Sequence, residues 1–133
     1  MDKVRNAAVI ALYDVLENNA FANLAINKVL KGSVFSSLER RFVTEIVYGT
    51  IKRKNTLEWI RDKFAKAKSI EPWVNAIILS GIYQIYYLDR VPASAACNEA
   101  VNLAKKYANP GAVKFVNAVL RNIVRNLDKL VFP

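Results

Sequence analysis

The run from Pro72 to Leu88 contains no charged residue, and it restricts the fold more than any other part of the chain. Asn75, Ser80 and Gln84 interrupt it, and it falls short of the ~20 apolar residues that span a bilayer. It therefore reads as a buried core helix, started by Pro72 at a first-turn position. Gly81 inside such a helix costs about 1 kcal/mol relative to Ala unless it permits close approach, so another helix is expected against it.

Six further segments show helical spacing, and none alternates like a half-buried strand. The first covers about Lys3 to Glu17, with Val4, Ala8, Ala11, Leu12 and Val15 on one side and Asn18-Asn19 closing it. A second, about Asn23 to Leu30, is stopped by Gly32. The third opens at Ser36, whose spacing to Glu39 is a capping box, and carries Leu38, Phe42, Ile46 and Gly49 on one stripe. Lys52-Arg53-Lys54 sits at its C-terminal end, where cations complement the helix dipole. Asn55 or Thr56 caps a fourth, through about Lys66, with Leu57, Ile60 and Phe64 inward. After the Val91-Pro92 step a sixth runs from about Ala93 to Tyr107, and Asn109-Pro110-Gly111 separates it from a seventh, about Ala112 to Leu127. With no repeat or linker visible, the expectation is an all-α bundle of about seven helices forming one domain over residues 1–133.

Twenty Lys and Arg against eleven Asp and Glu give a net charge of +9, which favours a polyanionic partner. The charge is uneven: Lys52 to Lys68 and Lys105 to Lys129 are each strongly basic, while residues 69–104 hold a single Arg. The lone cysteine excludes an intrachain disulfide, and with no histidine a metal site lacks its commonest ligands. Together with the lack of a signal-like apolar run in Met1 to Ala11, this points to the cytoplasm and away from a membrane.

Catalysis has no visible owner. Gly32, Gly49, Gly81 and Gly111 are too dispersed for a phosphate- or cofactor-binding turn, and a Ser or Cys nucleophile has no His beside it. Cys97, in Ala-Ser-Ala-Ala-Cys-Asn, reads as a small buried packing residue. Glu45 stands four residues after Arg41, a spacing for a local ion pair. Tyr83, Tyr86 and Tyr87 could stack unpaired bases, but their apolar, charge-poor helix favours core for Tyr83 and Tyr86, with hydroxyls reaching the edge. The seventh helix is more informative. Lys114, Arg121 and Arg125 share one stripe opposite Val116, Val119, Leu120, Ile123 and Val124. This is either a solvated charged face or a rigid surface able to meet several phosphates. Lys3 and Arg5, and Lys52-Arg53-Lys54, add two more clusters.

The motif running from Arg40-Arg41-Phe42 through Tyr48-Gly49-Thr50-Ile51-Lys52, then Gly81-Ile82-Tyr83-Gln84-Ile85 and Val91-Pro92, resembles the NusB-like domain that begins bacterial RsmB-type ribosomal RNA cytosine-5 methyltransferases. The similarity continues through Asn98-Glu99-Ala100-Val101-Asn102-Leu103-Ala104-Lys105 and Phe115-Val116-Asn117-Ala118-Val119-Leu120-Arg121. NusB itself shares the last two motifs, but typically has an acid where this chain has Arg121.

The resemblance implies an RNA-binding domain without catalytic residues, which helps position small-subunit ribosomal RNA for a C-terminal methyltransferase domain. S-adenosylmethionine would be expected in that domain, which this chain lacks. Leu130-Val131-Phe132-Pro133 looks unfinished, as if cut ahead of further chain. Alternatives are an antitermination factor binding RNA with ribosomal protein S10, and a structural domain docking on the methyltransferase without touching RNA. The candidate RNA contacts are Lys3, Arg5, Arg40, Lys52, Arg53, Lys54, Lys114, Arg121 and Arg125.

Overall fold

The computed structural model describes residues 2–67 and 69–132; Lys68 of the basic stretch, Met1 and Pro133 lie outside them. The described residues form α1 (Lys3–Asn18), α2 (Ala22–Lys31), α3 (Ser37–Lys52), α4 (Lys54–Phe64), α5 (Pro72–Tyr87), α6 (Ala93–Tyr107) and α7 (Pro110–Arg125), followed by a 3-10 turn at Leu127–Lys129. There is no strand among them.

The helix ends follow their capping chemistry. Asp2 caps α1 by accepting from the Arg5 backbone N–H at 3.0 Å, and Asn19 closes the helix in the left-handed region at φ 58°. Ser36 and Glu39 complete the anticipated capping box. Glu71 accepts from the Trp73 and Val74 backbone amides ahead of α5, and Asn109 from that of Ala112 ahead of α7. Two starts differ from expectation. Helix α4 begins at Lys54, one turn's tightening after α3, with Arg53 as a junction residue that offers no side-chain cap, and it ends at Phe64. Helix α7 begins at Pro110, because Asn109 and not a later residue supplies the cap.

Helix α5 is buried along almost its whole length: Val74, Ala76, Ile77, Ile78, Leu79, Ser80, Gly81, Ile82, Tyr83 and Gln84 are all inside. It packs on α1, α3, α4, α6 and α7, while α2 covers α1 and α3. Burying each of its large aliphatic side chains contributes about 1.5–3 kcal/mol, so this helix is the axis of the core. Its buried Ser80 and Gln84 are satisfied within the bundle: Ser80 donates to the Ile77 carbonyl and Gln84 to the Ser80 carbonyl.

Two glycines allow close approach. At Gly81 an added Cβ would sit 3.1 Å from Leu120 Cδ1, so α5 and α7 are in contact there, as anticipated. At Gly49 a Cβ would fall inside the Tyr83 ring, so α3 and α5 meet through that phenol. An aromatic stack not evident from the sequence joins three helices: Trp73 lies between Tyr13 at 4.0 Å and Tyr107 at 4.3 Å, with planes within 11° and 6° of parallel.

Three expectations need correction. Leu38 is 72% exposed, because the buried stripe of α3 is Val43, Ile46, Val47 and Thr50, rotated away from it. Glu45 pairs with Arg90 from the turn after α5, not with Arg41, since the tertiary partner lies closer than the helical neighbour. The Tyr86 hydroxyl is buried without a partner instead of reaching the edge, covered where Phe132 packs on its ring. Tyr83 and Cys97 are buried as anticipated.

The close approaches carry a measurable cost. Gly81→Val should lower the melting temperature by several degrees, the effect of about 1–2 kcal/mol in a domain of this size. Gly49→Ala should cost at least as much, because a packed ring and not a flexible side-chain tip must move. Thermal unfolding followed by circular dichroism checks both, and an unchanged midpoint for either would contradict the packing.

Candidate nucleic-acid interface

The candidate cations fall into two groups that differ in what already holds them. The first group surrounds the start of α1, the ends of α3 and the C-terminal end of α5. Lys3 Nζ donates to the Val34 carbonyl at 2.7 Å and pairs with Glu39 at 3.4 Å. That pairing, with the backbone N–H of the capping box as the larger influence, holds the Glu39 carboxyl below its ordinary pKa.

Arg5 is turned inward. Its side chain is 11% exposed, its Nε donates to Gln84 Oε1 at 2.6 Å, it pairs with Asp2, and its guanidinium lies 5.5 Å from the Phe42 ring centre. Arg5 thus ties α1 to α5 across the core edge. Its geometry places it among the structural cations and leaves little of it for a ligand. Lys54 pairs with Glu58 at 3.5 Å. Arg53 stacks 4.2 Å from the centre of the Tyr87 ring, which is itself stacked on Tyr83. Burial pushes the Tyr83 hydroxyl above its usual pKa, and Glu45 adds to this while Arg53 and Arg90 oppose it. In this group Arg40, Lys52 and Arg53 are exposed with no carboxylate within 4.0 Å among the described residues, and of the three Arg53 is engaged by the Tyr87 ring.

The second group lies on the hairpin of α6 and α7. Helix α7 buries Val116, Val119, Leu120 and Ile123, so Lys114, Ala118, Arg121 and Arg125 line up on the opposite side as the spacing requires. No acid occurs anywhere in α7, and α6 carries only Glu99. Lys114 and Arg125 are exposed. Arg121 is held by two neutral side chains: its Nε donates to Asn117 Oδ1 at 3.3 Å and its Nη2 to Asn98 Oδ1 at 2.6 Å. Its positive charge is therefore unpaired with any carboxylate among the described residues. Beneath it, burial raises the Cys97 thiol pKa, with the charge of Arg121 acting the other way.

Sequence reading placed Lys114, Arg121 and Arg125 on one face, and the structure does the same. It overlooked Lys105, Asn98 and Asn117. Lys105 faces Lys114 across a shallow cleft of about 340 Å³ floored by Ala108, Pro110 and Val113. A signal for these partners was present, because Asn98 and Arg121 stand eleven residues to either side of the Asn109-Pro110 turn, and Lys105 and Lys114 four. In an antiparallel helix pair with a tight connection, residues equidistant from the turn lie across from each other. Among the described residues no cluster of His, Cys, Asp or Glu could hold a metal ion, and no helix is long and apolar enough to cross a membrane.

The contrast between held and free cations is testable without RNA. Arg5→Ala should lower the melting temperature by several degrees, because it leaves Gln84 and Asp2 short of a partner at a cost of about 1–3 kcal/mol. Lys114→Ala should leave it within about a degree, as surface changes away from packing do. Equal melting temperatures for the two variants would erase the distinction.

Comparison with known proteins bears on the family and the fold. The NusB family profile matches residues 2–125. The probable ribosomal RNA small subunit methyltransferase B of Bacillus subtilis (strain 168) is 38% identical over 123 residues, which is 92% of this chain but 28% of that protein. The chain thus spans less than a third of the length of that relative. The transcription antitermination protein NusB of Bacillus velezensis is 30% identical over 93% of this chain and 95% of its own. In fold, a chain from a crystal structure of antitermination factors NusB and NusE in complex with double-stranded RNA superposes with a TM-score of 0.85 at 19% identity, covering 92% of this chain and 94% of that one. The sequence motifs, the seven-helix bundle and these matches place the chain in the NusB family.

Proposed function

We propose that this chain is an RNA-binding domain that helps position small-subunit ribosomal RNA for cytosine-5 methylation by a catalytic domain absent from the chain. The observation that carries the reading is the acid-free α7 face, where Lys114, Arg121 and Arg125 form no ion pair with a carboxylate among the described residues, on a helix fixed by its buried side. A row of uncompensated cations on a well-packed helix suits a phosphate backbone, since binding there releases counterions without breaking internal ion pairs. The methyltransferase branch is favoured by the 38% identity to a protein named for small-subunit ribosomal RNA methylation.

The domain's role in this reading is affinity and orientation. S-adenosylmethionine would bind the catalytic domain: the four glycines of this chain are scattered over different segments and form no cofactor-binding turn. The partners are then ribosomal RNA and that methyltransferase domain. A second reading, antitermination with ribosomal protein S10, draws on the 30% identity to a NusB that this chain matches over nearly its whole length. Titration with S10 separates the two, because saturable tight binding of S10 supports the second. A purely structural docking domain would instead give only weak, salt-labile RNA binding.

The α7 face has a quantitative signature. With Lys114, Arg121 and Arg125 replaced together by Gln, binding of a small-subunit ribosomal RNA fragment should weaken, and the slope of log affinity against log salt should fall by about 1.4 where Lys114 and Arg125 alone meet phosphates and by about two where Arg121 does so as well, taking ~0.7 per phosphate contact on single strands. Fluorescence anisotropy at several salt concentrations measures this, with circular dichroism confirming the fold. Unchanged affinity and slope in a folded triple variant would move the RNA surface to Arg40 and Lys52.

A further inference from the structure

Arg121 differs from its neighbours on the α7 face in one respect: its orientation is fixed. Lys114 and Arg125 are exposed, and no hydrogen bond ties the side chain of either to another described residue. Arg121, by contrast, is clamped from two helices, its Nε by Asn117 one turn earlier on α7 and its Nη2 by Asn98 of α6. A phosphate demands charge and little else, and flexible cations supply that at lower ordering cost. Holding a planar guanidinium in one plane serves a ligand with its own planar pattern of acceptors.

What the clamp leaves free is also informative. Both Asn oxygens are accepting from Arg121, while its Nη1 has no partner among the described residues and the two Asn amide N–H groups face away from the bonds they make. The site is therefore rich in unspent donors and poor in acceptors. Beside it, Ala118 is exposed between Lys114 and Arg121, a gap on the helix face with no bulky side chain to keep a flat ring away.

Resting on the RNA-binding reading above, we propose that Asn98, Asn117 and Arg121 form a base-reading site that takes the acceptor edge of an unpaired guanine, with the flanking phosphates on Lys114 and Arg125. Guanine offers O6 and N7 side by side, the pair that a guanidinium fork meets with two parallel hydrogen bonds. Adenine replaces the O6 acceptor with a donor amine, so a fork of donors keeps only the N7 bond and faces the amine donor to donor. In single-stranded RNA this edge is open to side chains, as it is not in the deep groove of an RNA duplex. The Asn98 contact makes the reading depend on the α6–α7 packing as well as on Arg121 itself.

The test uses an oligouridine carrying one central guanosine, compared by fluorescence anisotropy with the same strand carrying 7-deazaguanosine, which lacks the N7 acceptor, or adenosine. The native chain should bind the guanosine strand about ten-fold more tightly than either, the discrimination expected of one bidentate contact. Arg121→Lys keeps the charge and removes the planar fork. It should bind all three strands alike, at the affinity the native chain has for the adenosine strand and with the same salt slope. Asn98→Ala should reduce the discrimination while leaving the salt slope unchanged. Equal binding of all three strands by the native chain, or discrimination that survives in Arg121→Lys, would overturn the base-reading site and leave RNA binding in place. No measurable binding of any strand, with ribosomal RNA fragments also failing, would instead overturn the RNA reading on which the site rests.

Discussion

Helix α5 has no solvent face along most of its length, and the rest of the molecule is arranged by that demand. An apolar helix buried on every side needs neighbours in several directions, and here α1, α3, α4, α6 and α7 supply them. Gly81 decides how closely one of these can come. Because it has no side chain, Leu120 reaches the α5 backbone, and Leu120 is the residue just before Arg121. With Leu120 pinned inward, the helical period of 3.6 residues fixes the rotation of α7 about its axis. The basic face is thus a consequence of core packing: Val116, Leu120 and Ile123 must point in, so Lys114, Arg121 and Arg125 must point out.

The same core divides the positive charge into two kinds. Gln84 is buried in α5 and accepts from Arg5, which also pairs with Asp2 at the cap of α1. Arg90 pairs with Glu45 and lies 5.6 Å from the Phe42 ring centre, and Arg53 stacks on Tyr87. These cations hold helices together, and engaging them with a ligand would mean breaking contacts that stabilise the bundle. The net charge of +9 therefore overstates what is available to a polyanion. The α6–α7 hairpin is different because its sequence contains almost no acid, so its charge stays uncompensated by local pairs.

Much of this was legible in the sequence because the strongest signals are local. The apolar run of α5, the Ser36–Glu39 box and the two-sided pattern of α7 each follow from spacing along one helix, and all three appear as read. The failures are cases where a tertiary neighbour outweighed the local one. Leu38 fits the stripe of Phe42 and Ile46 by spacing, but it lies in the first turn of α3, where the core side is set by Val43, Ile46, Val47 and Thr50. Arg41 is well spaced for Glu45, yet Arg90 arrives from seven residues past Tyr83, a partner that no helical spacing predicts. The Tyr13–Trp73–Tyr107 stack joins residues from three helices and has no sequence signature at all.

The partners of Arg121 occupy the boundary between these cases. Asn98 is distant in sequence, but the connection between α6 and α7 consists of only Ala108 and Asn109, so the two helices leave the turn almost in register. Distance from the turn then substitutes for distance in space, and a tertiary contact becomes readable from a count. That short connection has a second consequence. Both helices are anchored in the core by residues such as Ala100, Leu103, Val116 and Leu120, so the separation between Asn98 and Arg121 cannot drift without repacking the interior. A polar constellation held in this way is ordered before any ligand arrives, and the entropy of fixing it is spent in folding and not in binding. The interior that hides α5 from water is for that reason also what keeps the exposed guanidinium of Arg121 in one plane.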